Sequence, residues 1–141
     1  MGSTDENKAI VRRFWEDYWN AGDASVADDI LAADYAEQDK PWHTTARVVF
    51  PDLTFNIDDL LTDGNKVISI IHWHGTHRGE FNGIAPTQKL VKGRGIWIHQ
   101  IENGRILKQH WEVSDVFGLG KQLTLVLNGA AASITDNAWS H

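Results

Sequence analysis

From Leu53 onward the hydrophobic period of this chain is two, and no other feature constrains its fold as strongly. Leu53, Phe55 and Ile57 alternate with Thr54, Asn56 and Asp58. Side chains leave a strand on alternate faces, so this alternation marks strands with one covered face. Asp63-Gly64-Asn65 has the chemistry of a tight hairpin turn. Val67 to His77 then reads as a long strand, with Ser69, Ile71, Trp73 and Gly75 on one face and Ile68, Ile70, His72 and His74 on the other. Gly83-Ile84-Ala85-Pro86-Thr87 is a loop, and Leu90 to Glu102 is a further strand. Glu102-Asn103-Gly104-Arg105 turns it into a last strand that ends at Asp115.

The first fifty residues follow a helical period instead. Thr4-Asp5-Glu6-Asn7 offers capping groups, and Ile10, Val11, Phe14, Trp15, Tyr18 and Trp19 recur on one side of a helix that Gly22 can close in the left-handed conformation. Ser25 can cap a second short helix, Val26 to Leu31. Residues 32–42 read as an irregular crossing. Thr44 or Thr45 can open a short helix through Val49, which Pro51 stops. Helices first and hairpin-joined strands after them is the order of an α+β domain with an antiparallel sheet. After Asp115, Phe117-Gly118-Leu119-Gly120 leads to an amphipathic piece, Lys121 to Leu127.

With 141 residues, 42% of them hydrophobic, the chain suits one packed domain spanning 1–141, with 1–5 and 130–141 expected to be mobile. The net charge of −6 without a basic run argues against nucleic acid, which needs a clustered positive face. Cysteine is absent, which removes disulfide and thiolate chemistry. No apolar run approaches the roughly 20 residues of a membrane helix. The polar start Met1–Glu6 is unlike a signal peptide, so a cytoplasmic address is expected. Seven tryptophans in so short a chain either fill a core or line a pocket for flat ligands.

Strand parity sorts the candidate residues into rows. Both strands read as partly buried on both sides, so the pattern alone does not fix which row faces inward. Trp111, Val113 and Asp115 share one row of the last strand, and Gly95, Trp97, His99 and Ile101 share one row of the strand before it. A curved sheet with helices over its concave side gathers Trp73, Trp97, His99, Trp111 and Asp115 around one cavity. An aromatic wall raises a carboxyl pKa toward neutrality, so Asp115 could take a proton beside a carbonyl and return it elsewhere. His99 could polarise the carbonyl oxygen or pass the proton on. The plainer alternative for Asp115 is an N-cap of the following segment. His72, His74 and His77 invite a metal reading, but the chain bends after Gly75 and spacing fixes no carboxylate partner, so no metal site is assigned. Glu37 and Asp39 are expected in solvent, and His110 on the outer face.

Gly75-Thr76-His77-Arg78-Gly79-Glu80-Phe81-Asn82-Gly83-Ile84-Ala85-Pro86-Thr87 resembles the central signature of the SnoaL-like polyketide cyclases. Phe50-Pro51-Asp52-Leu53, Glu102-Asn103-Gly104-Arg105-Ile106, His110-Trp111-Glu112-Val113-Ser114-Asp115 and Gln122-Leu123 resemble its other pieces, in the right order. The resemblance implies a cone-shaped α+β fold of the nuclear-transport-factor-like or ketosteroid-isomerase-like kind: a curved antiparallel sheet with N-terminal helices packed over its concave face around an apolar pocket. It further implies intramolecular aldol ring closure of a polyketide by acid–base catalysis, without metal or cofactor. The family's catalytic aspartate falls on Asp115, and a polar pocket position falls on His99. Trp15, Tyr35, Phe55, Trp73, His77, Trp97, Trp111 and Val113 are expected to bind a small hydrophobic or aromatic substrate, and a homo-oligomer is expected. The segment from Ala36 to Thr45 is shorter than its counterpart in the family. Two alternatives stand beside this reading: an epoxide-opening hydrolase or cyclase on the same fold, and a non-catalytic binder of small hydrophobic ligands.

Overall fold

The structure is a computed structural model, and it describes residues 3–114. Helix α1 spans Thr4–Arg13, capped where the Glu6 backbone N–H donates to Ser3 Oγ. It runs directly into a π-helical segment, Phe14–Asn20, where a regular helix was expected. The wider i→i+5 turn lets Phe14, Trp15, Tyr18 and Trp19 all reach the buried side. Gly22 follows in the left-handed conformation with φ 73°. Helix α2 is Val26–Ile30 and helix α3 is Ala33–Val49.

Helix α3 corrects the expected irregular crossing over 32–42. One continuous helix of 17 residues runs through Pro41. Pro41 is exposed, so the backbone bond it cannot make is lost on the exposed face. The buried stripe of α3 is Tyr35, Ala36, His43, Ala46 and Val49. Two alanines and a histidine give that stripe little hydrophobic contrast.

Four strands form one antiparallel meander in the order β1-β2-β3-β4: β1 Thr54–Asp63, β2 Lys66–Thr76, β3 Leu90–Glu102 and β4 Arg105–Ser114. The curved sheet carries the helices on one face. That covered face holds Val67, Ser69, Ile71 and Trp73 of β2, Val91, Trp97, His99 and Ile101 of β3, and Ile106 of β4, all buried. The alternation read from β2 and β3 is therefore the alternation of the fold. Ile68, Ile70, Ile96 and Ile98 are half-buried on the other row.

Polar side chains tie the helical layer to the sheet. Edge strand β1 offers unpaired backbone groups at Phe55, and the Asn20 amide pairs with both. Asn20 Nδ2 donates to Phe55 O at 2.8 Å. Asn20 Oδ1 accepts from Phe55 N at 2.7 Å. The carbonyls of Tyr18 and Trp19 lie at the end of the π-helical segment, where helical partners run out. The Tyr18 carbonyl accepts from His43 Nε2 at 2.7 Å. The Trp19 carbonyl accepts from Arg47 Nη1 at 3.1 Å, one turn further along α3.

The long central signature is a folding device. Asp52 of the Phe-Pro-Asp-Leu step accepts from the Thr76 backbone N–H at 2.6 Å and from Thr76 Oγ1 at 2.7 Å. Some burial works against the charged form of Asp52, and these bonds outweigh it and hold the carboxyl below its usual pKa. His77 is fully buried and clamps the loop. Its backbone pairs with Lys89 and Gln88, and its Nδ1 accepts the Thr87 N–H at 3.2 Å. Gly79 packs so closely on α3 that a Cβ would lie 2.7 Å from the Val48 carbonyl oxygen. Asn82 and Gly83 both have positive φ, 47° and 83°, in the two-residue turn that closes the Phe81–Ile84 bridge.

Candidate functional site

Between helices and sheet the described residues form a continuous layer of rings. The ring of Phe14 meets those of Trp15 and His99 edge-on, each with centroids 4.9 Å apart, and stacks with Tyr35 at 6.4 Å. The Trp15 ring in turn meets Trp97 at 5.0 Å and Phe55 at 4.9 Å, and its Nε1–H donates to the buried Ser69 Oγ at 3.1 Å. Trp73 sits at one end of this layer, over Gly93, where a Cβ would come within 2.7 Å of its ring.

His99 lies within these rings at 0% exposure. Strand β3 places it there by parity, two residues beyond Trp97 on the covered row. Tyr35 arrives from the first turn of α3, and its Oη stands 3.3 Å from His99 Nε2. Gln109 of β4 is the cross-strand partner of His99, and its Oε1 accepts from the Tyr35 hydroxyl at 3.4 Å. Burial pushes the His99 pKa down to about 3, and the Gln109 side chain offsets that only in part. The imidazole is therefore neutral at ordinary pH. Nδ1 of His99 is buried and has no hydrogen-bond partner among the described residues.

A second polar cluster lies under α3. The His43 ring stacks on Tyr18 with centroids 4.1 Å apart. Burial, joined by the neighbouring Asp39 carboxylate, raises the Tyr18 pKa far above its usual value. Asp39 therefore departs from the expected position in solvent: its Oδ2 is buried, whereas Glu37 is exposed. Burial also lowers the His43 pKa, aided by Arg47 and opposed by the Tyr18 carbonyl.

The expected site residues fall into three groups. Trp15, Tyr35, Phe55, Trp97 and His99 meet in the ring layer. His77 lies apart, beside Phe50 at 5.9 Å, in the clamp of the signature loop. Trp111 and Val113 stand on β4, where the pairing is irregular. Register shifts in β4 between the partners of Ile98 and His99, and again between those of Gln100 and Ile101, break regular alternation. The backbone register pairs Trp111 with Ile98 and Val113 with Ile96. Asp115, the Lys121–Leu127 piece and residues 130–141 lie outside the described residues.

The three histidines near β2 do not converge. His72 Nδ1 pairs with Asp58 Oδ1 at 2.6 Å on the outer row, while His77 is buried. Among the described residues no group of three or more metal-ligating side chains occurs, and no helix is long and apolar enough to cross a membrane. His110 is exposed and its Nε2 meets Gln100 Oε1. Sequence reasoning missed His43 and Arg47. Their spacing by one helical turn was the available signal, but the carbonyls they cap belong to a segment distant in sequence.

A sequence model of a SnoaL-like polyketide cyclase matches residues 42–123, more than half of the chain. The chain belongs to the SnoaL-like polyketide cyclase family. Solved structures share its fold. TsrD from Streptomyces laurentii superposes with a TM-score of 0.80 at 22% identity, over 87% of this chain and 98% of that one. A candidate polyketide cyclase from Acidithiobacillus ferrooxidans gives 0.77 at 25%, over 89% and 99%. AclR from Streptomyces galilaeus, a candidate hydroxylase, gives 0.79 at 22%, over 88% and 99%. Comparison with curated proteins gives no match. In this SnoaL-like chain the family model spans the signature loop, strands β2 and β3, His99 and Gln109, whereas Phe14, Trp15 and Tyr35 of the ring layer precede the matched region.

Proposed function

We propose that the chain is a cofactor-independent polyketide cyclase or isomerase that closes a ring by intramolecular aldol-type chemistry on a small hydrophobic or aromatic substrate. Family membership supports the reaction class. The observation that carries the reading within this chain is His99, a neutral imidazole buried whole among Phe14, Trp15 and Tyr35, with one nitrogen that has no partner among the described residues. A buried polar atom without a partner is costly, and a ligand or reacting group can complete its bonding. Trp19 Nε1 and His77 Nε2 are also buried without a partner among the described residues, but of the three only His99 bonds a second polar side chain within the ring layer.

In this reading Asp115 removes a proton from the carbon beside a carbonyl. The resulting enolate attacks a second carbonyl of the same molecule, and the alkoxide formed takes the proton back. An apolar wall would keep the carboxyl pKa close enough to neutrality for both transfers. His99 would hold a substrate oxygen in place, and the rings would orient flat carbon skeletons and exclude water. The test is turnover of a linear polyketide ester by purified Asp115→Asn, with circular dichroism as a check on folding. Loss of about 10²–10⁴ in rate with the fold retained is expected for a missing acid/base; unchanged turnover would sink the assignment.

A further inference from the structure

Tyr35, His99 and Gln109 come from three elements and meet inside the ring layer, and the contacts among the three assign their donors and acceptors to one another. Oε1 of Gln109 can only accept, so the single hydroxyl hydrogen of Tyr35 points to it. The Tyr35 oxygen then turns lone pairs toward His99 Nε2, which stands 3.3 Å away. Nε2 must therefore carry the imidazole hydrogen. A neutral imidazole carries only one, so Nδ1 is a bare acceptor. That atom has no partner among the described residues. His77 also shows a bare Nδ1, but the Thr87 backbone N–H occupies it. Burial of His99 keeps the ring neutral and so preserves the division between its two nitrogens.

We propose that Tyr35 and Gln109 are positioning residues that fix His99 as the Nε2–H tautomer, so that its Nδ1 accepts a hydrogen bond from an enol, phenol or alcohol hydroxyl of the substrate. A role in donating to a substrate carbonyl is thereby excluded. The identity of the bound group rests on the cyclase reading; the tautomer does not. The site then selects for a hydroxyl at one position of the ligand, because an analogue without it leaves Nδ1 buried and unpaired.

Nitrogen NMR of the full chain carrying ¹⁵N-labelled histidine reads the tautomer directly. His99 should show a hydrogen-free Nδ1 and a protonated Nε2 throughout about pH 5 to 8, where an ordinary histidine titrates. A protonated Nδ1, or exchange between both tautomers, would overturn the proposal. Tyr35→Phe removes the acceptor at Nε2 and should produce that mixture in a folded protein; an unchanged single tautomer would remove the positioning role of Tyr35. Two flat probes separate the ligand part. 2-Naphthol should bind about tenfold or more tighter than 2-methoxynaphthalene, and should shift the His99 Nδ1 resonance. Equal binding with no shift would overturn the acceptor role. None of these readings needs turnover, so they stand or fall separately from Asp115 and the cyclase reaction.

Discussion

His43 and His99 lie in one aromatic interior, and the fold holds them in opposite ways. His43 is stacked flat on Tyr18 and its Nε2–H goes to a backbone carbonyl at 2.7 Å. That carbonyl is at the end of the π-helical segment, so His43 does the work of a helix cap. His99 meets Phe14 edge-on, makes a longer contact with a side-chain hydroxyl at 3.3 Å, and has no partner for Nδ1 among the described residues. Both rings are buried and burial lowers the pKa of each. Burial and a shifted pKa therefore do not distinguish a structural histidine from a working one. The difference between these two lies in how each ring is held: His43 by a short bond to a backbone carbonyl, His99 by a longer contact to a side chain with Nδ1 left over.

The largest effect should follow from breaking the cap. His43→Leu leaves the Tyr18 carbonyl without its partner and removes the stacked ring, at a combined cost of about 2–4 kcal/mol read from urea denaturation. A graded effect, small near pH 6 and accumulating below it, should appear with acid. The folded pKa of His99 lies below the 6.5 of the unfolded chain, so the unfolded state binds the proton first as pH falls. The stability concerned is whole above pH 6.5 and is lost as pH falls toward 3. The loss is about 1.4 kcal/mol per pH unit for each histidine that stays neutral. His43 and His77, also shifted downward, should steepen the upper part of that window. Urea midpoints measured against pH should fall more gently in His99→Leu than in the parent chain.

What the sequence could show follows the same physics. Strands β1, β2 and β3 were legible because one covered face imposes a period of two, and the turns at Gly64 and Gly104, φ 61° and 75°, punctuate it. That parity put His99 in one row with Trp97, and the fold makes that row the covered one. Helix α3 was not legible, because its buried stripe is made largely of Ala36, His43 and Ala46 and it contains Pro41. The two register shifts in the pairing of β3 with β4 were not legible either, since they leave no mark in the residue pattern. Tyr35 was named as a ligand contact, but its place beside His99, far along the chain, is a product of the whole fold. The signature around His77 was recognisable long before its reason was: its glycines and Asp52 hold the loop against α3 and β2.

The most direct test of the contrast is urea denaturation of His99→Leu beside His43→Leu at pH 7. Leucine at position 99 removes an acceptor that has no partner among the described residues and one long bond, from Nε2–H to the Tyr35 oxygen at 3.3 Å, while the Tyr35 hydroxyl keeps Gln109 as its acceptor. His99→Leu should therefore stay within about 1 kcal/mol of the parent chain while His43→Leu falls well below it. Equal losses in the two variants, or a larger loss at His99, would mean that His99 is held as a structural residue, and would contradict its assignment to the site.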